Sequence, residues 1–195
     1  YRRAETLREN IQHLVRQDLS PGHFEVIRID DASPDHTPKV VREAQAIVPF
    51  QLKFLRNDVN HGPGYTENRG IREASAPLIL LMADDIWMAP STLRLHVEAH
   101  ERNPEPQVAV MGCVLQSPKL DQSLFLRNWY PFQFRKLGNV TELPYYRFWA
   151  NNISVGREFL LKHELFRENM GRAGAAAHED AELGYRLHKL GGIRI

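Results

Sequence analysis

Phe24-Glu25-Val26-Ile27-Arg28-Ile29 runs into Asp30-Asp31, and Leu78-Ile79-Leu80-Leu81-Met82-Ala83 runs into Asp84-Asp85. Each stretch reads as a buried strand ending in a pair of carboxylates. Such a pair needs water, a cation or a hydrogen-bonding ligand. In open parallel α/β sheets, ligands bind beyond the carboxyl ends of the strands. Two such pairs therefore predict a polar ligand and a divalent metal along one edge of one sheet.

The elements around these strands alternate. Leu7, Ile11, Leu14 and Val15 have helical spacing, and Ser20-Pro21-Gly22 ends that helix. Val40, Val41, Ala44 and Ile47 mark a second helix, with Thr37 as cap and Pro38 in the first turn. Gln51 to Leu55 reads as a short strand. His61-Gly62-Pro63-Gly64 turns into a helix from about Tyr65 to Ala74. Pro90-Ser91 opens a helix carrying Leu93, Leu95, Val97 and His100, and Val108 to Leu115 reads as a strand. Apolar strands alternating with helices predict an α/β fold, a mostly parallel sheet flanked by helices on both faces.

The pattern breaks after Ser117. Phe125, Trp129, Tyr130, Phe132, Phe134, Tyr145, Tyr146, Phe148 and Trp149 lie in an irregular stretch. They read either as a small packing cluster or as a wall for a ring-shaped ligand.

The chain has 195 residues, enough for one domain with a real core. Its 25 Lys and Arg against 24 Asp and Glu leave a net charge of +1, which supplies no nucleic-acid footprint. Cys113, alone in an apolar run, reads as a buried inert thiol. No segment is apolar for long enough to span a bilayer, and none reads as a signal peptide. Tyr1 opens the chain without Met, and Leu190 to Ile195 reads as the beginning of a strand. A preceding strand and a longer natural chain are therefore expected. Any membrane association is expected only through such further segments, with the protein in the cytoplasm or at the membrane's inner face.

Three segments carry chemistry. Asp30-Asp31-Ala32-Ser33-Pro34-Asp35-His36-Thr37 is either plain turn chemistry or a nucleoside contact. Asp84-Asp85 suits Mg²⁺ or Mn²⁺ bound together with substrate phosphates, the alternative being an ion pair with an Arg. On a helix from Ala177 to Leu187, Asp180 falls on the inward stripe of Leu183, Leu187 and Leu190. Glu179 falls at the edge of that stripe and Glu182 faces away. An inward acid beside a ligand is a candidate general base. His178 reads as a residue near the cap in preference to a metal ligand, and His61 is the histidine nearest the strand ends.

These segments, in this order, together with Gly62-Pro63-Gly64 and Asn68-Arg69-Gly70-Ile71, resemble family 2 glycosyltransferases of the GT-A fold. The resemblance implies that Asp31 contacts the nucleobase. It implies that Asp84 and Asp85 form the metal and diphosphate site, with Asp85 on the metal. Asn68 belongs to the implied nucleotide-sugar site, and Glu179-Asp180 supplies the base, usually through the aspartate. It further implies an inverting, metal-dependent transfer of a hexose or related sugar, with Mn²⁺ or Mg²⁺ as cofactor. The donor is a nucleotide-diphosphate sugar. The acceptor is a hydroxyl on a glycan, a lipid-linked carrier or another molecule, in polysaccharide biosynthesis. One catalytic domain is expected over residues 1–195, residues 1–116 being the nucleotide-binding half and 117–195 the acceptor-side half. Thr66-Glu67-Asn68 departs from the family's Ala-Arg-Asn, which removes one expected contact to the nucleotide. A sugar-phosphate nucleotidyltransferase is the rival enzyme, although its Gly-rich basic loop is not visible. A noncatalytic nucleotide- or glycan-binding module is the rival of another class.

Overall fold

The computed structural model describes residues 3–117, 119, 134, 140–170 and 178–195. Phe125, Trp129, Tyr130 and Phe132 lie outside the described residues. The described helices are α1 (Ala4–Val15), α2 (Thr37–Gln45), α3 (Pro63–Glu73), α4 (Thr92–Arg102), α5 (Arg157–Lys162) and α6 (Glu179–Gly191). The strands are β1 (Glu25–Asp30), β2 (Gln51–Arg56), β3 (Leu78–Met82), β4 (Ala109–Met111) and β5 (Asn152–Gly156).

β1 and β2 pair in parallel, Glu25 opposite Gln51 and Asp30 opposite Arg56. α2 connects them, as a parallel crossover requires. β5 lies between β3 and β4 and runs antiparallel to both, with Leu78 opposite Gly156 and Ala109 opposite Val155. The fold is α/β, a parallel pair and a β5-centred sheet carrying helices. β5 has no apolar run to announce it. Its Asn152 and Ser154 are buried, and α4 supplies their partners. His96 Nδ1 is 2.7 Å from Ser154 Oγ, His96 Nε2 is 3.1 Å from Asn152 Oδ1, and His100 Nε2 is 2.9 Å from the same Ser154 hydroxyl. Buried polar atoms on a central strand are tolerated because each is hydrogen-bonded.

Two apolar cores hold these layers. Leu7, Ile11 and Leu14 of α1 pack with Val41 and Ala44 of α2 and with Leu52 of β2. Ile79, Leu81, Ile153, Val155, Leu160, Leu183 and Leu187 join β3, β5, α5 and α6 in the other. Four local expectations change. Thr37 is the first residue of α2 and His36 its cap residue; Asp35 Oδ1 accepts from the Thr37 N–H and hydroxyl at 3.1 and 2.6 Å. Ile47 follows the end of α2 and is exposed. β4 stops at Met111, so the chain leaves the sheet before Cys113 and that thiol is exposed, not buried. Leu190 is exposed because the inward stripe of α6 ends at Leu187.

Candidate active site

α1 positions the end of β3. Asn10, fully buried, donates to the Ile86 carbonyl at 2.7 Å and accepts from Arg28 of β1. His13 Nδ1 lies 3.0 Å from the Met88 carbonyl oxygen, and Gln17 donates to that of Ala89 at 2.9 Å. The segment after β3 is thus fastened along α1, and its first two carboxylates meet the start of that helix. Arg3 Nη1 lies 2.7 Å from Asp84 Oδ1 and 2.8 Å from Asp85 Oδ2. Asp84 is the largest influence raising Arg3 above its ordinary value. The Arg ion pair weighed from sequence is the contact these carboxylates make.

The pair nevertheless fits a divalent cation. A half-exposed guanidinium on a solvent-accessible carboxylate pair can be displaced, and Mg²⁺ or Mn²⁺ needs only one or two protein carboxylates when donor phosphates complete its shell. Among the described residues, no group of three or more His, Cys, Asp or Glu side chains is gathered for a metal. The chemistry of the donor set therefore suits a metal shared with substrate, not an all-protein cage.

The end of β1 is built differently. Asp31 accepts from the His61 N–H at 2.9 Å, the Gly62 N–H at 2.9 Å and Asn57 Nδ2 at 2.7 Å. These bonds hold the loop leading into α3, where Gly62 has φ 90°, a left-handed conformation that favours glycine. His61 stacks on Tyr65 with ring centroids 4.2 Å apart and reaches Asp58 at 3.0 Å. Asn68 is engaged inside the fold. It is buried, its Nδ2 donates to the Phe166 carbonyl at 2.8 Å and to Glu168 at 2.9 Å, and its Oδ1 accepts from the Phe166 N–H at 2.8 Å. Its amide is spent joining α3 to the 164–168 segment and does not line the cavity beside it.

That cavity has a volume of about 400 Å³. α3 contributes Pro63, Gly64 and Glu67; the end of β3 contributes Ala83; residues 146 and 149–151 contribute Tyr146 and Trp149; α6 contributes Glu179 and Asp180. Gly184 lets α6 approach closely: a β-carbon there would meet Phe148 Cβ at 2.7 Å. Phe148 is fully buried, while Tyr146 and Trp149 face the cavity. Among the described aromatics, Phe148 thus serves the packing cluster, and Tyr146 and Trp149 line the cavity. Asp180 Oδ2 accepts from the Ala150 N–H at 3.0 Å. Burial pushes its pKa up to about 6, helped by the Glu179 charge and opposed by that N–H. Glu179 also lines the cavity, with Oε2 buried and lacking a hydrogen-bond partner, so it is more than an edge residue. Glu182 turns to the buried Arg186 at 2.8 Å, and His178 is the cap residue.

Sequence reasoning passed over Glu67 except as a departure. Burial pushes its carboxyl up to about 7; the Asp180 and Asp84 charges add to this and Arg28 opposes it. That chain of interactions links the cavity to the end of β3. A charged residue three positions after Gly64 on α3 was the available signal.

Glycosyl transferase family 2 is the family whose sequence pattern this chain matches, over residues 1–169. The chain belongs to glycosyl transferase family 2. α6 with Asp180 lies beyond the matched residues. Validoxylamine A glucosyltransferase of Streptomyces hygroscopicus subsp. limoneus is 28% identical over 216 residues, spanning 98% of this chain and 47% of that protein. The structure superposes on mannosyltransferase PcManGT from Pyrobaculum calidifontis, solved with GDP-Man and Mn²⁺, with TM-score 0.69 and 22% identity over 94% of this chain and 48% of that one. It superposes on residues 1–349 of Staphylococcus aureus TarS, also solved with UDP and with UDP-GlcNAc, with TM-score 0.71 and 19% identity over 95% of this chain and 52% of that one. These likenesses establish the GT-A fold. The chain spans about half the length of these proteins.

Proposed function

We propose that this family 2 chain carries the catalytic site of an inverting glycosyltransferase using a nucleotide-diphosphate sugar. The observation that carries this reading is one cavity bordered by the end of β3 on one side and by Asp180, in the first turn of α6, on the other. Residues 1–116 form the nucleotide-binding half and 117–195 the acceptor-side half of a single domain. Asp31 accepts a hydrogen bond from the nucleobase with the lone pairs its three internal bonds leave free. Asp84 faces the diphosphate, and Asp85 holds Mn²⁺ or Mg²⁺. When bound, that cation neutralises charge on the leaving diphosphate. The solved complexes of the fold relatives with GDP-Man and Mn²⁺, UDP and UDP-GlcNAc support this donor class.

Asp180 takes the proton from the acceptor hydroxyl as that oxygen attacks the anomeric carbon opposite the diphosphate. The C–O bond to the acceptor forms as the bond to the diphosphate breaks, so the configuration inverts. With its pKa raised only to about 6, Asp180 stays largely ionised at neutral pH and is a stronger base than an ordinary carboxylate. The acceptor is a hydroxyl on a glycan, a lipid carrier or a small glycoside, and nothing in the charge balance points to nucleic acid. No helix among the described residues is long and apolar enough to cross a membrane. A place in the cytoplasm or at the membrane's inner face is the reading we adopt.

The test separates donor affinity from transfer. Asp180→Asn keeps the shape and removes the base. Transfer should fall by about 10² to 10⁴, with nucleotide and metal affinity close to the parent's. Glu179→Gln should cost much less. Normal transfer by Asp180→Asn with loss in Glu179→Gln moves the base by one residue; normal transfer by both removes it from α6.

A further inference from the structure

The cavity is one-sided in charge. Among the described residues, Glu67, Glu179 and Asp180 line it, His178 is the one basic side chain in that lining, and Arg147 lies outside it, over the ring of the wall residue Trp149 at 4.8 Å. Arg28, the cation that bears on Glu67, already gives a hydrogen bond to Asn10. Among the described residues Glu67 has no hydrogen-bonding or ion-paired partner. The Asp180 and Asp84 charges act on it with the same sign. Glu179 adds a buried oxygen that nothing satisfies. Trp149, Tyr146 and Phe166 supply apolar walls, which strengthen any charge interaction inside.

We propose that the acceptor bound in this cavity is a sugar or cyclitol bearing a protonated amine, held by Glu67 and Glu179 with its hydroxyl directed to Asp180. An ammonium has three donors and no acceptor, so it satisfies two carboxylates at once and balances like charges that a neutral hydroxyl leaves opposed. Of the wall aromatics, Trp149 already has Arg147 over its ring, so the added attraction for a cation falls to Tyr146. The anionic donor diphosphate is repelled from the same carboxylates and is confined to the Asp84-Asp85 side, where a metal shields it. This inference rests on the cavity being the transfer site proposed above.

The test uses the full chain with Mn²⁺ and either UDP or GDP. Three probes are titrated by saturation-transfer NMR: methyl glucosaminide, methyl glucoside and methyl N-acetylglucosaminide. The amine should bind about tenfold more tightly than either neutral sugar, the scale of one charge-assisted hydrogen bond. Glu67→Gln, and independently Glu67→Met, should bring the amine down to the neutral level. Equal affinity for all three probes in the parent overturns the proposal, as does an amine preference that survives both substitutions. Nucleotide affinity is read in the same samples. Metal-dependent UDP or GDP binding without amine preference sinks this inference alone. No nucleotide binding at all sinks the transfer reading and this inference with it.

Discussion

Asp30-Asp31 and Asp84-Asp85 look alike as letters, each ending an apolar strand, yet the protein uses them in opposite ways. The first pair is consumed inside the fold. Asp30 is almost wholly buried, accepts from the Ser33 N–H at 3.1 Å and faces Arg56 at 3.1 Å. Asp31 spends three bonds on Asn57, His61 and Gly62. Among the described residues the second pair has one side-chain partner, Arg3, itself half exposed. What separates them is the backbone around them. The loop after β1 offers the Ser33 N–H to Asp30, and the loop after β2 brings Asn57, His61 and Gly62 to Asp31. After β3 the chain runs along α1, which takes the carbonyls of Ile86, Met88 and Ala89 and leaves the carboxylates facing outward. A carboxylate pair at a strand end is thus open to a metal where the backbone beyond it is occupied elsewhere, while the pair held by N–H groups keeps only spare lone pairs for a ligand.

The contrast can be broken by stability measurements. Asp30→Ala removes a buried charge that faces Arg56 and accepts from the Ser33 N–H, so chemical unfolding should show a loss of about 3 kcal/mol. A loss below about 1 kcal/mol would make the first pair as expendable as the second. Glu67→Gln sharpens the electrostatic link between β3 and the cavity. The Glu67 carboxyl rises from 4.5 to about 7 in the fold, so the unfolded chain ionises first. Native stability therefore falls as pH climbs from about 4.5 to 7 and stays low above. Removing that charge should stabilise the protein by about 2 kcal/mol at pH 8 and flatten the slope across that window. Unchanged melting curves across pH would show that Glu67 is solvated. Asp31→Ala should weaken nucleotide binding by about 1.5 to 3 kcal/mol with or without metal. Parental affinity would leave Asp31 a loop fastener alone. The smallest effect is the stability of Asp85→Ala. Its exposed ion pair is worth less than about 1 kcal/mol, so the unfolding midpoint should barely move.

The strands that end in acids were legible because β1 and β3 are apolar runs closed by Asp-Asp, and helical spacing marked α1, α2 and α3. Asp180 was legible as well, since the stripe through Leu183 and Leu187 points at it. β5 was not. Asn152 and Ser154 make it look like an edge strand, and only α4's His96 and His100, distant in sequence, make a central position tolerable. Asn68 and Glu67 are neighbours on α3 whose roles exchange. One helical position apart, the amide turns into the 164–168 segment and the carboxyl turns into the cavity, a difference of about 100° that depends on how α3 packs. Arg3 on the acid pair was weighed as a type of contact, but nothing in the residues named which Arg reaches across the fold.

The comparison rests on Asp84-Asp85 being free to take a metal and a diphosphate. The decisive measurement is calorimetric titration of UDP and GDP into the parent chain and Asp85→Ala, each with and without Mn²⁺. Metal-enhanced affinity is expected in the parent and none in the variant, with both proteins equally folded. Equal metal-dependent affinity in Asp85→Ala would contradict it.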